Sequence, residues 1–124
     1  MNVLITGATG FIGQALCSKL KEKGHKISVL SRNPEKAENI IANMDHYAAW
    51  DPVQEVAPNN VLETQDAIIH LAGENVAGRW TQKKKEQILQ SRDIGTQNLI
   101  KGLKQCHNRP QILISASAIG YYGE

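Results

Sequence analysis

The chain has 124 residues, of which 41% are hydrophobic and 21% are charged, a composition ordinary for a single globular domain. Fourteen basic and twelve acidic residues leave a net charge of +2, which is too small to indicate nucleic acid or an anionic membrane surface as a partner. The N-terminus has no basic segment before its short apolar run, and no stretch is long enough to span a bilayer, so a cytoplasmic protein is expected.

The first predicted elements are a buried strand and an amphipathic helix. Val3–Ile5 is a short apolar run closely followed by glycine, which is typical of a strand in a parallel sheet. Beyond the glycine turn, apolar residues recur every four positions at Ile12, Leu16 and Leu20, and Gly24 follows. Because glycine commonly ends helices, a helix is predicted from about residue 11 to about residue 23.

The rest of the chain continues the alternation of strand and helix. The further predicted strands cover Ile27–Leu30, Tyr47–Trp50, Ala67–Ala72 and Ile112–Ile114. A polar helix opens at Pro34 and reaches about Asn43, and residues 53–65 are mostly loop. A long helix is capped by Thr81, and its inner face carries Ile88, Arg92, Thr96, Leu99 and Leu103.

This alternation predicts an α/β fold, a doubly wound parallel sheet of the Rossmann type with helices on both faces. Right-handed crossover connections favour the strand order 3-2-1-4-5. In that order the ends of strands 1 and 4 lie side by side, and ligands of such sheets bind at this switch point.

The strongest functional signal is the glycine-rich turn that joins the first strand to the first helix. Its first glycine permits a tight turn, its second lets the backbone approach a pyrophosphate, and its third lets the helix pack closely on the sheet. The positive end of the helix dipole then faces the phosphates. The sequence therefore predicts a dinucleotide site formed by Gly7, Thr9, Gly10, Phe11, Ile12 and Gly13.

The end of the second strand indicates which dinucleotide is bound. NAD-binding domains of this fold usually carry Asp or Glu there, which accepts hydrogen bonds from the ribose hydroxyls. This chain has Ser31-Arg32-Asn33 instead. A carboxylate would repel a 2′-phosphate, whereas a guanidinium binds one bidentately. NADP is therefore favoured over NAD, with Ser31 and Arg32 as cofactor-binding residues; an arginine that merely faces solvent is the alternative.

Three further stretches follow in order, at residues 70–80 (HLAGENVAGRW), 91–99 (SRDIGTQNL) and 115–123 (SASAIGYYG). With the GxxGxxG spacing of residues 7–13, they resemble the extended short-chain dehydrogenase/reductases, and among these the atypical nucleoside-diphosphate-sugar epimerase-like proteins. The resemblance covers the whole chain. Since members of that family run to about 300 residues, residues 1–124 are interpreted as an N-terminal NAD(P)-binding domain, truncated after strand 5 and without the substrate lobe.

The resemblance implies roles for residues at the ends of strands 4 and 5. Leu71, Ala72 and Gly73 match the loop that passes the adenine ribose and the pyrophosphate. Ser117 matches the serine that hydrogen-bonds a substrate carbonyl or hydroxyl near the nicotinamide, and is the candidate catalytic residue. Ser115 is the competing choice.

Several residues on the same side of the sheet have two interpretations. Arg92 stands where relatives often carry asparagine and is counted as cofactor-binding; a phosphate or carboxylate partner would explain it, and so would a side chain that extends to solvent. Asn75, Arg79 and Trp80 either line a substrate pocket or anchor their loop. His70 lies inside a buried strand and is interpreted as a hydrogen-bonded core residue rather than a base.

The cysteines and one helical glycine have structural explanations. Cys17 and Cys106 fall on separate predicted helices without a second cysteine or a metal-ligand pattern nearby, so two reduced thiols and no metal site are expected. Gly95 inside a predicted helix costs about 1 kcal/mol relative to alanine, which close packing of that helix on the sheet would explain.

The resemblance also shows which catalytic group is missing from residues 1–124. Superfamily members that transfer hydride use a Tyr-x-x-x-Lys pair, and this stretch contains none. The predicted function is the NADP-binding domain of an epimerase-like oxidoreductase acting on a small sugar or nucleotide-linked sugar. The alternative is a non-catalytic NADP-binding sensor or scaffold module. The expected partners are a small-molecule substrate and, through strand pairing, a second copy of the chain.

Overall fold

The computed structural model describes residues 1–71 and 94–115, which form a five-stranded sheet with helices on both faces. The strands are β1 (Asn2–Thr6), β2 (Lys26–Ser31), β3 (His46–Ala49), β4 (Ala67–His70) and β5 (Ile112–Ser115). The helices are α1 (Phe11–Glu22), α2 (Pro34–Ile40), the single turn α3 (Asn59–Leu62) and α4, helical over residues 94–104.

All strand pairs are parallel, and their order is β3-β2-β1-β4-β5. This confirms the predicted Rossmann-type topology. The central strand is β1, in which Val3 pairs with Ile27 on one side and with Ala67 on the other. Thr6 and His70, at the carboxyl ends of β1 and β4, are register partners, so the predicted switch point lies between them.

Each face of the sheet has its own hydrophobic core, because alternate side chains of a strand point to opposite faces. On one face, Val3 and Ile5 pack with Cys17 of α1 and Ala37 of α2. On the other, Leu4 and Ile68 pack with Trp50, with Leu62 of α3 and with Leu99 of α4. Because helices cover both faces of the sheet, the inner strands are buried on both sides, and this explains why they are continuous apolar runs.

Helix α1 ends where the sequence predicts but buries a different set of residues. Gly24 has a φ of 90°, a left-handed conformation that favours glycine and stops the helix. Leu16 and Leu20 pack against the core as expected. Ile12 does not, since its side chain is 61% exposed. The buried residues of the helix are instead Gly13 and Cys17.

The segment after α2 departs from the prediction in length. The helix stops at Ile40 rather than near Asn43, because Ile41 turns into the core in an extended conformation and Asn43 adopts a left-handed φ of 70°. The hydroxyl of Tyr47 then holds this turn, donating to the Ile41 carbonyl and accepting from the Met44 amide.

Three further elements differ from expectation in detail. The stretch predicted to be mostly loop contains the single turn α3. Cys106 lies just beyond the end of α4 rather than inside a helix. The described part of the predicted long helix has Leu99 on its buried face, whereas Thr81, Ile88 and Arg92 lie outside the described residues. Within the described ranges, no helix combines the length and apolar character needed to cross a bilayer.

The thiol of Cys17 is expected to be inert in the folded protein. The side chain is fully buried, and burial raises the pKa of this thiol to about 11. Since the thiolate is the reactive form, we expect Cys17 of a Cys106→Ala variant to react with a disulfide reagent at pH 8 only after denaturant is added. Rapid stoichiometric reaction of the native variant would contradict this burial.

The apolar edge at β5 is expected to promote self-association. Ile112, Leu113 and Ile114 are 41 to 50% exposed, and the described residues place no strand beyond β5. Unpaired edge strands join readily to one another. We expect residues 1–124, taken alone, to form concentration-dependent dimers or larger species in light scattering, and a Leu113→Lys variant of the same residues to form fewer. Equal self-association of the unaltered protein and the Leu113→Lys variant would show that the β5 edge is not the surface through which the copies associate.

Candidate cofactor-binding site

A cleft of about 750 Å³ opens at the carboxyl ends of β1, β2 and β3. It lies over three segments: the glycine turn after β1, the end of β2 with the first turn of α2, and the segment that follows β3. Its lining residues include Thr6, Gly7, Thr9, Ser31, Arg32, Lys36, Trp50, Asp51, Pro52 and Gly95. Four residues of the sequence-based set, Gly7, Thr9, Ser31 and Arg32, are thus brought to one cleft.

The glycine turn is built around a backbone conformation that disfavours side chains. Gly7 has a φ of 69°, and the Gly10 amide donates to its carbonyl at 3.3 Å, which closes the turn. The side-chain amide of Gln14, in α1, donates to the Thr9 carbonyl at 2.8 Å and ties the turn to the helix. These two hydrogen bonds hold the turn from within itself and from α1.

The amino end of α1 is open to an anion. Gly10 is the N-cap residue and has no side chain to accept from the first-turn amides. Among the described residues, a Cβ added at Gly10 would touch the Gly7 carbonyl oxygen alone, at 3.6 Å, so no other described atom covers the backbone there. Phe11 and Ile12 follow with side chains 90% and 61% exposed. Their placement leaves the helix terminus free to interact with a negatively charged group.

Gly13 is required for packing, though not against the sheet as predicted. A Cβ at this position would lie 2.6 Å from the Ala8 Cα and 2.7 Å from the carbonyl oxygens of Gly7 and Ala8. The close contact is therefore between α1 and the glycine turn itself. This contact sets the angle at which the helix terminus meets the cleft.

The β2 side of the cleft carries two cations. Ser31 Oγ accepts from the Asn33 amide at 3.2 Å, and Asn33 Oδ1 caps α2 by accepting from the Lys36 amide. This places Arg32 and the first-turn Lys36 on the same cleft. Within the described part of the chain, the only ion pair joins Lys21 to Asp45, so neither cation of the cleft is neutralised by a carboxylate there.

Lys36 was not among the residues predicted from the sequence to bind the cofactor, although its position after β2 could have indicated this. A helix that starts directly after a strand presents its first turn at the carboxyl edge of the sheet. A lysine in that first turn, one helical turn beyond Arg32, could have been assigned to the site on this basis.

The third wall of the cleft is the segment Asp51–Gln54, which sequence reasoning left as loop. It is folded back on itself: the Glu55 amide donates to the Asp51 carbonyl at 2.9 Å, and the indole N–H of the buried Trp50 donates to the Glu55 carbonyl at 2.9 Å. Irregular segments of this kind have no periodicity, so only the structure reveals this wall.

A buried network joins the glycine turn to β4. Thr6 Oγ1 lies 2.7 Å from His70 Nδ1 and accepts from the Leu71 amide at 3.1 Å. His70 Nε2 lies 3.4 Å from the hydroxyl of Thr96, on α4. His70 is 3% exposed, so it is the hydrogen-bonded core residue that the sequence predicts. Leu71 is partly buried next to this network.

Several predicted residues lie outside the described ranges. This applies to Ala72, Gly73, Arg92 and the candidate catalytic Ser117, and to Asn75, Arg79 and Trp80. Their roles stay predictions. Among the described residues, no three His, Cys, Asp or Glu side chains are grouped so as to hold a metal ion.

Comparison with known proteins identifies the family. The NAD dependent epimerase/dehydratase family model matches residues 3–124. The chain belongs to this family. Epimerase family protein YfhF of Bacillus subtilis (strain 168) is 41% identical over 123 residues, covering 99% of this chain and 39% of the relative. This epimerase-family chain therefore spans about two fifths of the length of that relative.

Two solved structures are similar to the epimerase-family chain. Human epimerase family protein SDR39U1 (isoform 2), crystallised with NADPH, has 28% identity and a TM-score of 0.68, covering 98% of this chain and 38% of the human one. UDP-N-acetylglucosamine 4-epimerase from Bacillus cereus has 27% identity and a TM-score of 0.68, covering 100% and 38% of the two chains. The epimerase-family chain is thus an NAD(P)-binding domain of Rossmann type.

Proposed function

We propose that this chain is the NADP-binding domain of an epimerase-like oxidoreductase whose substrate is a small sugar or nucleotide-linked sugar. The observation that carries the cofactor choice is the pair of cations, Arg32 and Lys36, on a cleft where NAD-binding domains have a carboxylate. Arg32 and Lys36 have no carboxylate partner among the described residues, and two such cations favour the 2′-phosphate that distinguishes NADP from NAD.

The cleft suits the adenosine end of the dinucleotide. We assign the pyrophosphate to the amino end of α1, where Gly10 leaves the backbone open and the helix dipole favours an anion. The adenosine then lies over β2 and β3, between Arg32 and the Asp51–Gln54 wall, and its 2′-phosphate meets Arg32 and Lys36. A Cβ at Gly10 would fill the space assigned to the pyrophosphate.

The substrate class rests on family membership and on one solved relative. The B. cereus protein is a UDP-N-acetylglucosamine 4-epimerase, which supports a sugar or nucleotide-linked sugar for this chain. NADPH in the human SDR39U1 structure supports NADP as the cofactor. The nicotinamide ring, when bound, supplies the hydride donor or acceptor. Ser117 is assigned the hydrogen bond that orients a substrate carbonyl or hydroxyl.

A binding measurement tests the cofactor assignment. Titration calorimetry of the unaltered protein with NADP and with NAD is expected to give a Kd at least tenfold lower for NADP, since a charged hydrogen bond contributes about 1.5–3 kcal/mol. Equal affinities would refute the NADP assignment while leaving dinucleotide binding intact.

Residues 1–124 alone are expected to show no turnover. They contain no Tyr-x-x-x-Lys pair, and a serine without an activating partner does not supply a proton at neutral pH. Hydride transfer also needs donor and acceptor held about 3–3.5 Å apart in a water-excluded site. NADPH oxidation with keto-sugars and quinones should not exceed that of a Ser117→Ala control. Turnover above the control would show a working enzyme; tight NADP binding without turnover in the full-length parent would favour the sensor or scaffold alternative.

A further inference from the structure

We propose that Asn98, on α4, is a positioning residue for the adenosine side of the cleft, where it fixes the Asp51–Gln54 wall. The inference rests on the proposed function, because it assigns the adenosine half of the cofactor to that wall. Asn98 itself is not among the residues that line the cleft. Its action is therefore on the wall and not on the cofactor.

Two hydrogen bonds join Asn98 to Pro52, within this segment, and to Ala57, three residues beyond it. Its side-chain Nδ2 donates to the Pro52 carbonyl at 2.7 Å, and its backbone carbonyl accepts from the Ala57 amide at 3.1 Å. A carbonyl oxygen can only accept, so the NH2 group of Asn98 must face Pro52. Since Asn98 is partly buried in a packed helix, the partner of the Pro52 carbonyl is held in one place.

Two glycines of α4 bring the helix close to Pro52 of this segment and to Ala57 beyond it. A Cβ at Gly95 would lie 3.1 Å from the Pro52 Cβ, and one at Gly102 would lie 2.5 Å from the Ala57 carbonyl oxygen. Gly95 and Asn98 are three positions apart and so lie on one helix face. This corrects the predicted explanation of Gly95: the helix packs closely on the segment after β3 rather than on the sheet.

The other contacts of the wall determine its shape rather than its distance from α4. The bonds from Glu55 to the Asp51 carbonyl and from Trp50 to the Glu55 carbonyl are local to the segment. Pro52 and Arg32 line the same cleft, so a shift of Pro52 would change the space next to the assigned adenosine. Binding sites need their supporting groups held within about 0.5 Å, and the hydrogen bond from Asn98 restrains Pro52 in this way.

Three alanine variants of α4 test the proposal, with adenosine 2′,5′-bisphosphate as the probe of the adenosine half. Asn98→Ala removes the bond to Pro52 and is expected to raise the Kd about tenfold. Gly95→Ala adds a Cβ 3.1 Å from the Pro52 Cβ, so Pro52 must shift by a few tenths of an ångström, and the Kd is expected to rise by a similar factor. Gln97→Ala, at an exposed position between them, should leave the Kd within about twofold.

Thermal unfolding of each variant separates positioning from stability. A purely structural role would change affinity only in proportion to the folded fraction, so weaker binding by a fully folded Asn98→Ala supports positioning. Gly95 itself lines the cleft, so Gly95→Ala supports the inference only together with Asn98→Ala. Unchanged affinity in Asn98→Ala would overturn the inference alone. If Asn98→Ala did not fold, Asn98→Asp, which keeps the size of the side chain but has no donor for the Pro52 carbonyl, would decide in its place. Absence of binding by the unaltered protein would overturn the proposed function and this inference with it.

Discussion

Replacing Gly10 by valine is expected to abolish NADPH binding, by a factor of at least about 100 in Kd, while the fold remains formed. Gly10 has an extended backbone that valine can adopt, with a φ of −73° and a ψ of 170°, and among the described residues an added Cβ meets one atom, at 3.6 Å. The valine side chain would instead occupy the space assigned to the pyrophosphate, an exclusion worth about 3 kcal/mol at that factor. Fluorescence of the reduced cofactor measures the binding.

Gly13, the next glycine along the chain and part of α1, supplies the matched control. In Gly13→Ala the added Cβ would overlap backbone atoms of Gly7 and Ala8, so we expect a loss of about 3 kcal/mol in the free energy of unfolding. In Gly10→Val the corresponding loss should be about 1 kcal/mol, through a poorer N-cap. A folded Gly10→Val that binds NADPH normally would show that the pyrophosphate lies elsewhere.

Replacing Arg32 by alanine is expected to remove most of the preference for NADP. The loss of a charged hydrogen bond to the 2′-phosphate corresponds to about 1.5–3 kcal/mol, a rise of roughly tenfold to 150-fold in the Kd for NADPH. NADH has no 2′-phosphate, so its Kd should change by less than about threefold. Calorimetric titration of NADPH and of NADH into the unaltered protein and into Arg32→Ala gives the four Kd values that this comparison needs.

Lys36 should contribute in the same direction with a smaller effect. Its ammonium is a point charge without the bidentate geometry of a guanidinium. Lys101, exposed on α4 and not among the cleft residues, provides the charge-matched control. We expect Lys36→Ala to weaken NADPH several-fold and Lys101→Ala to have no measurable effect. An equal effect of the two substitutions would indicate a general electrostatic field in place of a phosphate site.

The sheet was predictable because burial on both faces leaves a strong pattern. Short apolar runs such as Val3–Ile5, separated by helical segments, allow few parallel topologies once right-handed crossovers are required. The observed strand order is the predicted one. The predicted burial and helix ends were wrong where contacts between distant elements outweighed the local hydrophobic pattern. Ile12 fits the helical period yet is exposed, and the helix from Pro34 stops early because Ile41 is drawn into the core.

Part of the candidate site follows from single backbone segments. Gly7 and Arg32 come directly after the ends of β1 and β2, and the structure places both on the cleft, as the strand–turn–helix context predicts. Their role in phosphate binding stays a prediction. The Asp51–Gln54 wall was not predictable, because it depends on contacts with α4, far away in the sequence. Gly102 likewise has no local signal, since its closeness to Ala57 exists only after α4 has docked.

The central position of β1 has a consequence for how the chain acquires its structure during synthesis. The partner on one side, β2, follows after a single helix, so Val3 can pair with Ile27 early. The partner on the other side begins at Ala67 and emerges from the ribosome only after three strands have been made. Until then one edge of the most buried strand lacks its neighbour, and contacts between distant segments form slowly. We therefore expect nascent chains that end before residue 67 to need protection from aggregation, and chains that include β4 to need less.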